Sequence, residues 1–105
     1  MKKIFSGLAI ATALATTCLA HAADVKPSVI LVHGAFADSS SWNGVVKILE
    51  KDGYPVIAAA NPLRGVASDA QSVASIVKSV KTPVVLVGHS YGGAVITEAG
   101  NDPKV

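Results

Sequence analysis

Six consecutive residues of this 105-residue chain, Gly88-His89-Ser90-Tyr91-Gly92-Gly93, have the types and spacing best suited to chemistry. They fit the pattern G-x-S-x-G, in which a strand turns so sharply into a helix that the serine hydroxyl stands clear of the backbone. Glycine is needed two residues to either side, because a Cβ there would strike the adjoining strand or helix. A serine held this way can attack an acyl carbon. The surroundings match: the apolar run Pro83 to Val87 leads into the motif, and Gly92, Gly93 and Ala94 lead out. A phosphate-binding loop would need lysine where His89 stands, and the dinucleotide signature G-x-G-x-x-G is absent.

A second segment, His33-Gly34-Ala35-Phe36, follows the first apolar run. The expectation is that the backbone N–H of Ala35 faces the N–H of Tyr91, and that the pair receives the negative charge that develops on an attacked carbonyl. Donors fixed before that charge appears are a large catalytic term, and losing one costs roughly 3–4 kcal/mol. Gly34 would let the backbone approach a substrate closely. The plainer reading is that His33-Gly34 only ends a strand. His89 is expected to point away from the hydroxyl into the fold, and His33 to order its loop, so neither is the general base. Phe36 is a candidate wall of an acyl pocket and Trp42 a core anchor. Asp69 reads as a helix-start residue rather than a catalytic acid.

These segments need a frame. Val29 to Val32 is a continuous β-branched run, the mark of a strand buried on both faces of a parallel sheet. Asp38 to Ser41 offers capping oxygens for a helix beginning near Trp42, with Trp42, Val45, Val46 and Leu49 as its apolar stripe and Gly53 as its stop. Tyr54 to Ala59 reads as a second strand. Ser68-Asp69-Ala70-Gln71 has capping-box spacing ahead of a stripe of Ala70, Val73, Ala74 and Val77. Pro83 to Val87 is the third strand and Tyr91 to Ala99 the third helix, stopped by Gly100-Asn101 and Pro103. Strand and helix alternating three times, at roughly 25-residue intervals, predict right-handed crossovers and a three-layer α/β/α fold on a parallel sheet.

Composition narrows the function classes. Half the residues are hydrophobic, which excludes a disordered chain. Lys2 and Lys3, an apolar stretch from Ile4 to Leu19 and Ala20-His21-Ala22 read as a signal peptide over residues 1–22, with the domain over 23–105 and an exported, periplasmic or secreted product. About 16 weakly apolar residues are short for a bilayer span, so no membrane partner is expected after cleavage. From Ala23 onward, seven basic residues balance seven acidic ones, which gives no electrostatic reason for a nucleic-acid partner. The one cysteine, Cys18, lies in the signal segment and its predecessors do not form a lipid-attachment motif. The mature chain thus has no thiol for a disulfide or a nucleophile, and its two histidines make a poor metal site. No cofactor is expected.

Val29-Ile30-Leu31-Val32-His33-Gly34-Ala35-Phe36, Trp42 and Gly88-His89-Ser90-Tyr91-Gly92-Gly93 resemble the α/β-hydrolase superfamily, most of all the branch holding plant methyl esterases and hydroxynitrile lyases. The resemblance implies the first part of that fold, ending after the helix that follows the serine. It implies Ser90 as nucleophile, Ala35 and Tyr91 as backbone oxyanion donors, and a small-molecule carboxylic ester as substrate. It also implies an acid and a histidine further along the family's chain, matched by nothing here, so the expected activity of these 105 residues alone is negligible. The family's strand order also implies the Pro83 strand at an edge of the sheet, where its unpaired backbone groups and apolar side chains would invite aggregation. Two alternatives stay open. One is a non-catalytic fragment or a half completed by a partner chain. The other is a lyase on the same scaffold, although that branch tends to carry another residue in place of His89.

Overall fold

The computed structural model describes residues 25–105. The expected signal segment lies outside them. Three parallel strands form one sheet: β1 (Ser28–Val32), β2 (Val56–Ala59) and β3 (Val84–Gly88), in the order β2-β1-β3. All five residues of β1 are buried, as expected for a strand with neighbours on both edges and helices on both faces. Hydrogen bonds lock it on each side: Val29 N–H donates to the Pro55 carbonyl at 2.8 Å, and Ser28 N–H to that of Pro83 at 2.9 Å. Both prolines therefore sit just outside the strands, where a missing N–H costs no ladder bond.

Three helices connect and follow the strands: α1 (Asn43–Lys51), α2 (Val66–Ser79) and α3 (Tyr91–Ala99). The chain runs from β1 to β2 in one direction across the sheet and returns past β1 to β3 in the other. Right-handed crossovers then put α1 on one face and α2 on the opposite face, where α2 packs against α3. The main core lies under α2 and α3 and joins Ile30 and Val32 to Val73, Val77 and Val95. Each such side chain contributes about 1.5–3 kcal/mol by leaving water.

The helix starts differ from the sequence expectation. Asp38 does cap, accepting from the Ser40 N–H at 2.8 Å, but what it caps is a single 3-10 turn, Ser39–Trp42, that precedes α1. The stripe on α1 is half-covered: none of its residues is fully buried. Trp42 is half-buried, not a full core anchor, and its indole Nε1 is buried with no partner among the described residues. The capping box is overturned. Helix α2 begins three residues earlier, at Val66 with Gly65 before it, and the Ser68 hydroxyl bonds the Gly65 carbonyl inside the first turn. Gly53 does end α1: at φ +86° it lets its own N–H reach Glu50 and the Tyr54 N–H reach Leu49, both at 3.0 Å.

Strand β3 is an edge, as expected. Its first outward amide, Val84 N–H, is taken by the Lys104 carbonyl at 2.7 Å. The Lys104 ammonium in turn donates to the carbonyls of Val77 and Val80 at the end of α2, favourable at the negative end of the helix dipole. Among the described residues, no helix is long and apolar enough to cross a membrane.

Candidate active site

In an open parallel sheet, the natural site is the crevice at the carboxyl ends of the strands where neighbouring connections leave toward opposite faces. Here that point lies between β1 and β3. Val32 pairs with Gly88 at the last register position, and His89 N–H donates to the Val32 carbonyl at 3.1 Å. The chain from β1 then leads toward α1, and the chain from β3 toward α3 on the other face. The segments 33–36 and 89–91 thus emerge side by side.

Ser90 stands between β3 and α3 at φ +54°, ψ −121°. That region is unfavourable for a residue with a Cβ, and such strain persists only where the surroundings impose it. The surroundings here are the two glycines of the motif. A Cβ on Gly88 would lie 2.5 Å from the Gly92 carbonyl oxygen. One on Gly92 would lie 2.8 Å from that of His33 and strike that of Val32. Strand, bend and helix are packed backbone to backbone. Gly93 has open space around it and plays no such part.

The turn also disposes of its amides. Gly92 N–H bonds the His89 carbonyl at 2.9 Å and Gly93 N–H that of Ser90 at 2.8 Å. Tyr91 N–H has no acceptor among the described residues, and neither has Ala35 N–H. Ser90 is exposed and its hydroxyl makes no capping bond to the helix it precedes. Buried Gly34 is the hinge between the two segments. A Cβ on it would meet the His89 carbonyl at 3.0 Å and the Ser90 Cβ at 3.2 Å. Ala35, the expected first donor, is therefore the residue next to one lying against the serine. Phe36 follows at φ +62° and is fully exposed.

The histidines divide as structure and surface. His33 is 2% exposed; its Nε2 accepts from the Asn61 N–H at 3.0 Å, so the proton sits on Nδ1, which donates to the Gly34 carbonyl at 2.9 Å. Asn61 also donates its side-chain amide to the His33 carbonyl at 3.3 Å. Both ring nitrogens are engaged, and the ring ties the loop after β1 to the loop after β2. This is the ordering role expected of it. His89 does not turn into the fold as expected: it is exposed, with its ring beside Gly34.

One polar contact has no counterpart in the sequence reading. The Tyr91 hydroxyl donates to Asp69 Oδ2 at 2.6 Å, and Asp69 is completely buried. The Arg64 N–H donates to its other oxygen at 3.1 Å. Burial by itself pushes the Asp69 carboxyl up. Hydrogen bonds from Tyr91 and from the amides of Arg64, Gly65 and Leu63 favour the charged form and hold it below its ordinary 3.8. Accepting its bond, Asp69 pushes the Tyr91 phenol above its ordinary 10.0, and burial adds to the shift. Periodicity does place Asp69 at the edge of the α2 apolar stripe, beside Ala70, which was the available signal. No group of metal-binding residues exists among the described residues.

Parallel sheet, backbone-packed bend and strained serine together define an α/β protein with a glycine-flanked serine at a strand-to-helix turn. Sequence comparison agrees: the profile of the alpha/beta hydrolase family matches residues 29–105, and the chain belongs to that family. It is 31% identical over 85 residues to the alpha/beta hydrolase nvfD of Aspergillus novofumigatus (strain IBT 16806), which covers 71% of this chain and 34% of that protein. An extracellular alpha/beta-hydrolase from a Paenibacillus species superposes with a TM-score of 0.64 at 25% identity, covering 70% of this chain and 34% of its own. The pyrethroid hydrolase PytH superposes with a TM-score of 0.59 at 32% identity, covering 70% and 33%. The chain spans about a third of the length of these relatives.

Proposed function

We propose that the chain supplies the nucleophile and the oxyanion-binding amides of an exported serine hydrolase that cleaves carboxylic esters. The observation that carries the reading is Ser90, held at φ +54° on a bend whose packing admits only glycine at 88 and 92, with Gly34 against its Cβ. In the first step, Ser90 Oγ attacks the ester carbonyl and its proton passes to a base. The carbonyl oxygen becomes an oxyanion received by the N–H groups of Ala35 and Tyr91, and the alcohol then leaves with a proton. Water repeats the sequence on the acyl-serine to release the acid. His33 is buried with both ring nitrogens bonded elsewhere, which removes it as the base. In this reading the acid and the base are residues outside 25–105. Phe36 offers an apolar surface to the acyl group. Export agrees with the N-terminal pattern of the sequence and with the extracellular character of the Paenibacillus neighbour. Ester cleavage agrees with the hydrolase character of both structural neighbours.

A fluorophosphonate probe tests the reading. The catalytically complete protein is labelled once per chain, Ser90→Ala is not labelled, and the 105-residue chain alone is not labelled either. Labelling of the Ser90→Ala protein would place the nucleophile elsewhere and overturn the proposal.

A further inference from the structure

Tyr91 performs two tasks with different parts of itself. Its N–H is the first amide of α3, the one assigned above to the oxyanion. Its ring packs against the core, and the hydroxyl at its tip reaches Asp69 at 2.6 Å. A helix start is ordinarily fixed by a side-chain cap from the residue before it. Ser90 is that residue, and its hydroxyl does not cap. Backbone bonds at Gly92 and Gly93 hold the turn itself, and the buried carboxylate on α2 adds a side-chain anchor on Tyr91.

The rest of the Asp69 environment supports this. Its second oxygen accepts from Arg64 N–H at 3.1 Å, in the loop that leaves β2. One carboxylate therefore joins three pieces: the loop after β2, the first turn of α2 and the first residue of α3. Stability alone does not call for a buried charge, since well-packed apolar residues of similar shape generally serve as well or better. A directional bond that holds one side chain at a fixed position is what a carboxylate adds.

We propose that Asp69 is a positioning residue of the nucleophile bend, acting through the Tyr91 hydroxyl to aim the Tyr91 amide at the oxyanion. The proposal rests on the assignment of Ser90 and Tyr91 made above. A misplacement of about 1 Å can cost about a hundredfold in rate, so a shift of roughly half that is worth about tenfold. An oxyanion donor acts mainly in the transition state, so its misplacement lowers kcat and spares KM.

The experiment uses the catalytically complete protein with a chromogenic ester, and the variants Asp69→Asn, Tyr91→Phe, their double and Ser90→Ala. Expected are kcat values down about tenfold in both single variants, with KM within about twofold. The double variant falls no further than the lower single, because both changes break one link. Tyr91→Phe keeps the ring in the core, so it reports even if Asp69→Asn folds poorly. The contact itself is read without catalysis. In a Tyr54→Phe background of the 105-residue chain, Tyr91 is the one remaining tyrosine. Its phenolate absorbance there titrates above 10.0, and Asp69→Asn brings it down toward that value. Unchanged titration, or additive losses in the double variant, would overturn the proposal. So would kcat within twofold of the parent in Tyr91→Phe while Ser90→Ala is dead. Turnover retained by Ser90→Ala would instead remove the underlying assignment of the nucleophile, and this inference with it.

Discussion

Two neighbouring glycines should respond to alanine with opposite signs. At Gly92 the added Cβ would sit 2.8 Å from the His33 carbonyl oxygen and closer still to that of Val32, both backbone atoms of the central strand and its exit. Ordinary contact begins near 3.4 Å, so α3 must lift from β1 by more than half an ångström, roughly. Overpacking of this kind costs about 3 kcal/mol where nothing flexible can yield. Alanine recovers about 1 kcal/mol as the better helix former, leaving a net loss of about 2 kcal/mol. In a domain this small, that is a fall in Tm of about 10 °C. At Gly93 no atom lies within 4 Å of the added Cβ, so only the helix-propensity gain of roughly 0.5–1 kcal/mol remains and Tm rises by a few degrees. Neither glycine has positive φ, so conformational preference does not confuse the comparison. Thermal unfolding followed by circular dichroism decides it. If Gly92→Ala melts at or above the parent temperature, the backbone-to-backbone packing argued for the bend is wrong.

Three further outcomes follow from the same geometry. The Asp69 carboxyl is held below 3.8 in the folded chain, so its contribution to stability is complete above that value and is lost as pH falls through the depressed one. The raised Tyr91 phenol contributes fully below 10.0 and loses its contribution as pH rises through its folded value. Urea midpoints measured across pH should therefore differ between the parent and Asp69→Asn at neutral pH and converge in strong acid. His33→Ala leaves the buried Asn61 N–H without its acceptor and should cost about 2 kcal/mol or more; an unchanged midpoint would deny His33 its ordering role. Phe36→Gly relieves an unfavourable φ of +62° and loses no packing, because Phe36 is fully exposed. Stability should rise by roughly 0.5–1 kcal/mol, while KM for esters of bulky apolar acids increases in the catalytically complete protein.

The buried first strand and the bend were legible in the sequence. A run such as Val29 to Val32, apolar at every position, can only be buried on both faces, and a glycine-flanked serine between an apolar strand and a small-residue helix start has one common geometry. Helix boundaries were less legible. Ser68 and Gln71 carry the right atoms for a capping box, yet the helix starts at Val66, because covering Ala70 and Val73 against the sheet fixes where the helix lies and the cap plays no part. Asp69 was read as a favourable charge near a helix start. Nothing in its own neighbourhood along the chain signals a phenol 22 residues away.

Local rules thus carried what adjacent residues decide among themselves: periodicity, turn chemistry and the need for glycine at a crowded bend. Contacts between elements were decided by the fold. That His33 bonds Asn61, that Gly34 lies against Ser90 and that Asp69 grips Tyr91 all depend on which strand lies beside which, and on the faces to which the crossovers send their helices. Such pairings join residues far apart in the chain, and only the packed sheet brings them within bonding distance.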